Sequence, residues 1–499
     1  MNKFINLKLR IVAVLLAFAG GAVAQNNAPP KRITLHQTAY NIACPTIAGT
    51  GYASRTVTHL DQRDKTVLMA DEAISVSGNT GPALFNIAFK RIWVSNWRKT
   101  EQTLTWKVSS PRDADYHAEL DGGVLSVRLS GHAGEDLVVE TKNKSLYRTN
   151  LGTISLKKGE STLKLQLARD LDYDGKVRSL DLLPVDVKED YEKRVAALRS
   201  DAGWMRGAGY GVMLQYGCWS YPEHGPKKPW EDEVNTFDTE KFAKMVDEDM
   251  GARWVIWSIT WRGSHFPMPL KSVDAIVSDH TIKRDLMADL AASLNKRNIK
   301  LFFYYHPGHE DYPFWNANWQ GSTPQEEKDL FIKNWMTIVT EIGERYGNML
   351  AGWFFDDGTT YSPAPFEKMT KAAKAGFSGR LLSYNSWRLP ILTEFQDIQF
   401  GEGFYGSTET AVGSDGIYKS GKYRGMQAHG MFTINSNDWG VWKPNQKVPL
   451  KHTVEELTKW IKEANRRGQL MSLNFDMYQG GVVTPETLEM FRKLKVNVY

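Results

Sequence analysis

The feature that most restricts this chain is an alternation running from about residue 206 to the end. Apolar runs of strand length alternate there with longer segments of helical spacing. GYGVMLQYG is followed by FDTEKFAKMVDEDMG, then ARWVIWSI by TIKRDLMADLAASLNKRN. IKLFFYYH precedes QEEKDLFIKNWMTIVTEIGERYG, MLAGWFFDD precedes FEKMTKAAKAGF, and RLLSYN follows. VEELTKWIKEANRRG and LMSLNF close the series. The strand runs are apolar throughout, as strands covered on both faces must be. This order over a segment of this size predicts a (β/α)8 barrel over residues 206–499. A doubly wound sheet is the other reading, but no Gly-rich phosphate loop follows the first strand.

A chain of 499 residues is too long for one core. Upstream of the barrel, TLTWKVSS, YHAELDGG, VLSVRLSG, GTISLKKG and STLKLQLA alternate with period two and are separated by turn residues. Residues 25–187 are therefore expected to form an all-β sandwich. KEDYEKRVAALRS has helical spacing and makes residues 188–205 a linker helix. The fold class expected is multidomain: an N-terminal β-sandwich followed by a (β/α)8 barrel.

Residues 1–24 read as a signal peptide. Lys3, Lys8 and Arg10 precede a short apolar stretch, IVAVLLAFA, and Ala22-Val23-Ala24 is a small-residue cleavage site. The expectation is an exported protein, periplasmic or secreted, with no membrane span. The net charge of +5 is spread along the chain without a Lys/Arg cluster, which argues against nucleic acid as a partner. Cys44 and Cys218 are the only cysteines, either one bridge or two buried thiols, and their number excludes a cysteine zinc site. Nothing in the sequence specifies an oligomeric state. Seventeen Trp are present. An indole face stacks on the C–H face of a sugar ring, but large residues also fill large cores. Trp93, Trp97 and Trp106 in the sandwich are open to both roles.

Barrel chemistry sits at the C-terminal strand ends. The residues there are Gln215, Tyr216, Trp261, Arg262, Tyr305, His306, His309, Asp356, Asp357, Asn385, Trp387, Glu402, His429, Asn435 and Asn474. Asp356 stands out because GWFFDDG sets a carboxylate directly after a buried strand; a turn alone would need one acid. Glu402 and Glu409 follow the presumed sixth strand and are candidates for a second carboxylate. His306 and His309 in HPGHED lack helical metal-ligand spacing and read as a substrate-facing loop, so no metal is expected.

These segments resemble the retaining α-L-fucosidases, glycoside hydrolase family 29, over about residues 206–495. LMSLNFDMYQGGVVTPETLEMFRKLK is similar to the family's last strand, loop and helix. TINSNDWG, GWFFDDG and GEGFYGSTE resemble further segments in the right order. The resemblance implies that Asp356 is the nucleophile, that Glu402, with Glu409 as the alternative, is the acid/base, and that a terminal sugar of a glycan or polysaccharide is released without a cofactor. The sandwich resembles accessory carbohydrate-binding domains. The chain departs from the family where it has Gln215-Tyr216 for a His-Trp pair and Trp261-Arg262 for a His-His pair. It has no glutamate near His429 where a WETC-like segment would supply one. These departures concern the groups that grip fucose. They leave two alternatives: another sugar such as an α-L-galactoside, or a barrel that binds glycans without hydrolysing them.

Overall fold

The structure, a computed structural model, describes residues 41–43, 57–70, 73, 75–77, 86–88, 94–124, 126–141, 144, 147–261, 265–306, 325–358, 361–386, 389–402, 414–435 and 439–499. The signal-peptide region, Cys44, Trp93, Arg262, His309, Trp387 and Glu409 lie outside these residues.

Eight parallel strands form the C-terminal part: Gly211–Leu214, Trp254–Thr260, Lys300–Tyr305, Leu350–Phe355, Leu381–Tyr384, Ile398–Glu402, Gln427–Thr433 and Leu470–Asn474. Their order in the sheet is fifth, fourth, third, second, first, eighth, seventh, sixth, which brings the two ends round to face each other as a nearly closed barrel. Strand side chains alternate between two faces. Met213, Ile256, Phe302, Phe354 and Phe400 fill the inside. Val212, Val255, Phe303, Phe355 and Leu473 pack outward among the helices. Both faces are therefore buried, which is why the strands read as unbroken apolar runs. The helix Val454–Arg466 begins with a reciprocal cap between Thr453 and Glu456, and Pro485–Val498 begins with the Thr484 cap and a proline in its first turn. The N-terminal end of the barrel is plugged by the turn Gly203–Met205, with Met205 buried against the inner cluster and Trp204 edge-on to Trp254.

The seam between the fifth and sixth strands is closed by one backbone bond, from the Asp397 amide to the Leu382 carbonyl at 2.9 Å, and by side chains. Asp397 Oδ2 accepts from the Leu382 amide at 2.9 Å, and Gln396 Oε1 from the Tyr384 amide at 3.3 Å. A buried strand edge would otherwise leave these amides without partners, which is costly. The connection across the seam, residues 385–397, contains no helix among its described residues. The helix Lys188–Leu198 and the N-terminal region cover that wall instead, through Tyr191 and Arg199, which both reach Glu394.

The N-terminal region is two β-sheets of seven and six strands around one core. Gly175–Pro184 pairs with Ala114–Gly123 in one sheet, and Thr103–Ser110 with Gly159–Leu167 in the other. Trp97 and Trp106 belong to this core, and their indole N–H groups donate to the Gln102 and Met69 carbonyls. Neither forms an external sugar platform.

The sandwich, linker helix and barrel meet at Glu394. Its carboxylate receives Lys65 Nζ at 2.6 Å, Arg148 Nη1 at 3.1 Å and the Tyr191 hydroxyl at 2.7 Å, and its carbonyl receives Arg199 Nε at 2.9 Å. Burial works to raise the Glu394 carboxyl. The charges of Lys65 and Arg148, with the Lys65 and Tyr191 hydrogen bonds, outweigh burial and hold it well below the usual carboxylate range. A depressed folded pKa stabilises the native state above the unfolded value and loses that contribution as pH falls through the folded one. Glu394→Gln should therefore lower stability at pH 7 by roughly 2 kcal/mol. The gap from wild type should shrink as pH falls below about 4. Denaturant midpoints of both proteins from pH 7 to 3 check this; a gap that does not change with pH contradicts it.

Candidate active site

Asp356 follows the fourth barrel strand and shares the inward parity of Phe354. Its amide donates to the Tyr305 carbonyl at 3.0 Å, extending the sheet by one residue. The residue is 8% exposed. An anion this buried needs donors, because water no longer supplies them. One oxygen accepts from the Tyr304 hydroxyl and the other from Asn385 Nδ2 at 2.8 Å. Tyr304 comes from the inner face of the third strand. Asn385 ends the fifth, where its amide donates to the Phe355 carbonyl at 2.8 Å.

Asp357 adopts a left-handed backbone, φ 48°, which a short polar residue tolerates better than most. This turn directs its carboxylate to His306, with Oδ2 2.9 Å from Nε2. Both side chains are buried. A carboxylate can only accept here, so His306 Nε2 carries a proton. His306, Asp356 and Asp357 form the one buried His/Asp trio among the described residues whose ligand atoms lie within 4.8 Å of one another. Those atoms could hold a cation, but in this arrangement Asp357 bonds His306 while Tyr304 and Asn385 bond Asp356.

An aromatic wall adjoins the carboxylates. Trp261 lies 6.3 Å from Tyr304 and 6.2 Å from His306, centroid to centroid. Trp442 meets it edge-on at 4.6 Å, and Trp219 stacks on Trp442 at 6.0 Å. Trp261 and Trp442 are each partly exposed. The loop carrying Trp442 is braced by Gln446, which accepts from the Trp442 amide and donates to the Gly440 carbonyl. On the adjacent first and eighth strands, Gln215 and Asn474 are buried at 3% and 1% exposure. Gln215 Oε1 and Asn474 Oδ1 have no hydrogen-bond partner among the described residues. Ser258 and Thr260 hydroxyls share that condition. Buried acceptors without donors carry an energetic cost that a hydroxyl-bearing ligand would relieve.

Some expected site residues are placed elsewhere. Tyr216 turns outward, packs on Phe237 and Trp257, and donates its hydroxyl to Glu233. Tyr305 also points outward, against Phe266 and Trp335. Each follows an inward-facing residue by one position, so strand parity sends it to the helix layer. His429 is sealed inside the barrel against Phe400, with Nε2 2.8 Å from Ser472 Oγ. Burial alone pushes its pKa down to about 3, so the ring stays neutral. Asn435 is spent on loop bracing, donating to the Val448 carbonyl and Thr487 hydroxyl and accepting from the Asp476 amide. Glu402 ends the sixth strand, registered with Met431 and sharing the backbone parity of Ile398 and Phe400. Tyr304, Trp219 and Trp442 were not singled out from sequence. Parity with His306 would have selected Tyr304 over Tyr305. The tryptophans lie in loops, where no periodicity marks a facing.

Residues 216–494, more than half of the chain, match the family model described as alpha-L-fucosidase. The barrel is thus that of a glycoside hydrolase. The chain belongs to the alpha-L-fucosidase family. Solved structures similar to it include a family 29 alpha-L-fucosidase from Bacteroides thetaiotaomicron, trapped as a covalent intermediate with 2-fluoro-fucosyl fluoride. That chain is 18% identical, with a TM-score of 0.45 over 60% of this chain and 74% of its own. AlfC from Lactobacillus casei, in complex with α-L-fucose, is 18% identical, with a TM-score of 0.43 over 61% and 97%. Alpha-L-fucosidase isoenzyme 1 from Paenibacillus thiaminolyticus is 16% identical, with a TM-score of 0.43 over 61% and 75%. No curated protein sequence matches the chain.

Tyr304→Phe removes a hydrogen bond to an anion, an interaction of about 1.5–3 kcal/mol. It should lower kcat by roughly ten- to a hundredfold. Tyr305→Phe, on the opposite strand face, should leave kcat within about twofold. Steady-state kinetics of the two variants decide this; equal losses contradict the assignment of faces.

Proposed function

We propose that the protein is an exported, retaining exo-glycosidase that releases a terminal α-L-fucosyl or closely related sugar from a glycan or polysaccharide. The observation that carries this reading is the Asp356 carboxylate, enclosed at the C-terminal end of the fourth strand and fixed by Tyr304 and Asn385. Asp356 attacks the anomeric carbon and the glycosidic oxygen leaves with a proton from a second carboxyl. Glu402 is assigned that role on its place at the end of the sixth strand, with Glu409 as the alternative. Water then takes the sugar from Asp356, its proton accepted by the second carboxyl, left as a carboxylate by the first step. Retention requires the two carboxyls about 5–5.5 Å apart. The Asn385 amide and Tyr304 hydroxyl orient the attacking oxygen, and the Trp261–Trp442 wall offers an apolar face to the C–H side of a sugar.

A different sugar is the second reading, favoured by Gln215 and Trp261 at positions where the family resemblance implies imidazoles. A site built for particular hydroxyls discriminates strongly against sugars that place them otherwise. Aryl α-L-fucoside, α-L-galactoside and a set of other aryl glycosides separate the two. Turnover of the fucoside supports the first reading, and turnover of the galactoside alone the second. Folded protein inactive on all of them contradicts both. Asp356→Ala should abolish whatever turnover is found, and an active variant would overturn the nucleophile assignment.

A further inference from the structure

A strap of barrel residues, 390–394, is gripped at both ends by the N-terminal region. At one end Arg178, from the sandwich strand Gly175–Pro184, reaches the Pro390 carbonyl with Nη1 at 3.4 Å and the Ile391 carbonyl with Nη2 at 3.2 Å. Arg178 is buried and ion-paired with Asp121, itself 1% exposed. At the other end Glu394 is held by Lys65, Arg148 and Tyr191. Between the grips sits Leu392. Its Cδ1 lies 2.8 Å from where a Cβ would stand on Gly358, so the side chain rests directly on that glycine. Gly358 closes the turn that begins with Asp356 and Asp357, and its amide donates to the Asn385 carbonyl at 2.9 Å. Asn385 in turn bonds the Asp356 carboxylate. The path from the sandwich to the reacting carboxylate is therefore short: Arg178, the strap backbone, Leu392, Gly358, Asp356.

We propose that the sandwich is a positioning part of the catalytic unit, with Arg178 clamping the strap so that Leu392 buttresses the Asp356–Gly358 turn. The proposal rests on the reading of Asp356 as the reacting carboxylate. It follows from the missing helix: the connection from the fifth to the sixth strand has, among its described residues, no helix of its own to fix it. A misplacement of about 1 Å at a reacting group costs on the order of a hundredfold in rate, so a loosened strap should show in kcat. Arg178 is a positioning residue, since it touches the strap and not the carboxylate.

The test uses the full chain. Arg178→Met alone leaves Asp121 buried and unpaired, which threatens folding. The double variant Arg178→Met, Asp121→Asn removes both charges, and Leu392→Ala removes the buttress without touching the ion pair. Arg178→Lys keeps the charge but loses the fork. Two readouts are taken: kcat and KM on the best aryl glycoside, and hydrogen exchange in peptides covering Gly358. For the double variant and Leu392→Ala, kcat should fall about tenfold or more with KM within about twofold. Exchange at Gly358 should accelerate while that of the first and second barrel strands stays unchanged, and Arg178→Lys should recover part of the loss. Wild-type kcat with unchanged Gly358 exchange overturns the proposal, as does exchange accelerated uniformly through the barrel. Wild-type protein inactive on every aryl glycoside sinks the functional reading instead, and the Gly358 exchange then decides the strap by itself.

Discussion

The rest of the structure depends on one constraint: eight parallel strands must bury both of their faces. Alternation along each strand sends every second side chain into the barrel and the others to the helices. Near the N-terminal end the inward positions are apolar, with Trp254 and Phe302 beneath Phe354 and Phe400. At the C-terminal end the same alternation continues into polar residues. Gln215, Ser258, His306, Asp356, Asn385 and Asn474 each share the inward parity of the apolar residues below them. The candidate site is thus the continuation of the core by residues of another kind, set on the ends of the sheet.

Asp356 shows what that placement costs and how it is offset. A carboxylate cut off from water loses several kcal/mol of solvation. Hydrogen bonds from Tyr304 and Asn385 restore part of it and define the direction of each oxygen. Tyr304 stands on the third strand and Asn385 directly follows the fifth, the two neighbours of the fourth strand. Asp357 does different work beside it, since its left-handed backbone turns the carboxylate toward His306. Two consecutive acids thereby face separate partners. Beside them stand the indole wall of Trp261 and Trp442 and the buried acceptors of Gln215 and Asn474, which have no partner among the described residues.

Most of the barrel was legible in the sequence because double burial leaves continuous apolar runs, and Asp356 was legible because it ends one. The facing of Tyr216 and Tyr305 was readable in principle, since parity within GVMLQY and KLFFYYH assigns Gln215 and Tyr304 to the inside. It was missed because each tyrosine stands nearer the polar end of its run. The role of the sandwich was not legible. Arg178 and Glu394 are more than two hundred residues apart, and neither lies in a pattern that reveals the other. Helix replacement by another domain is a tertiary fact, which no pattern between the fifth and sixth strands announces.

As the proposed nucleophile, Asp356 would form the covalent bond to the sugar. A 2-fluoro glycosyl fluoride of the sugar the enzyme hydrolyses slows breakdown of such a bond more than it slows its formation, so the intermediate accumulates. Peptide mapping of the trapped protein by mass spectrometry reads the attachment point. One sugar per chain is expected, on the peptide carrying Asp356 and at that residue. Attachment to a different carboxylate, or steady turnover of the reagent with no covalent species, would contradict the nucleophile assignment.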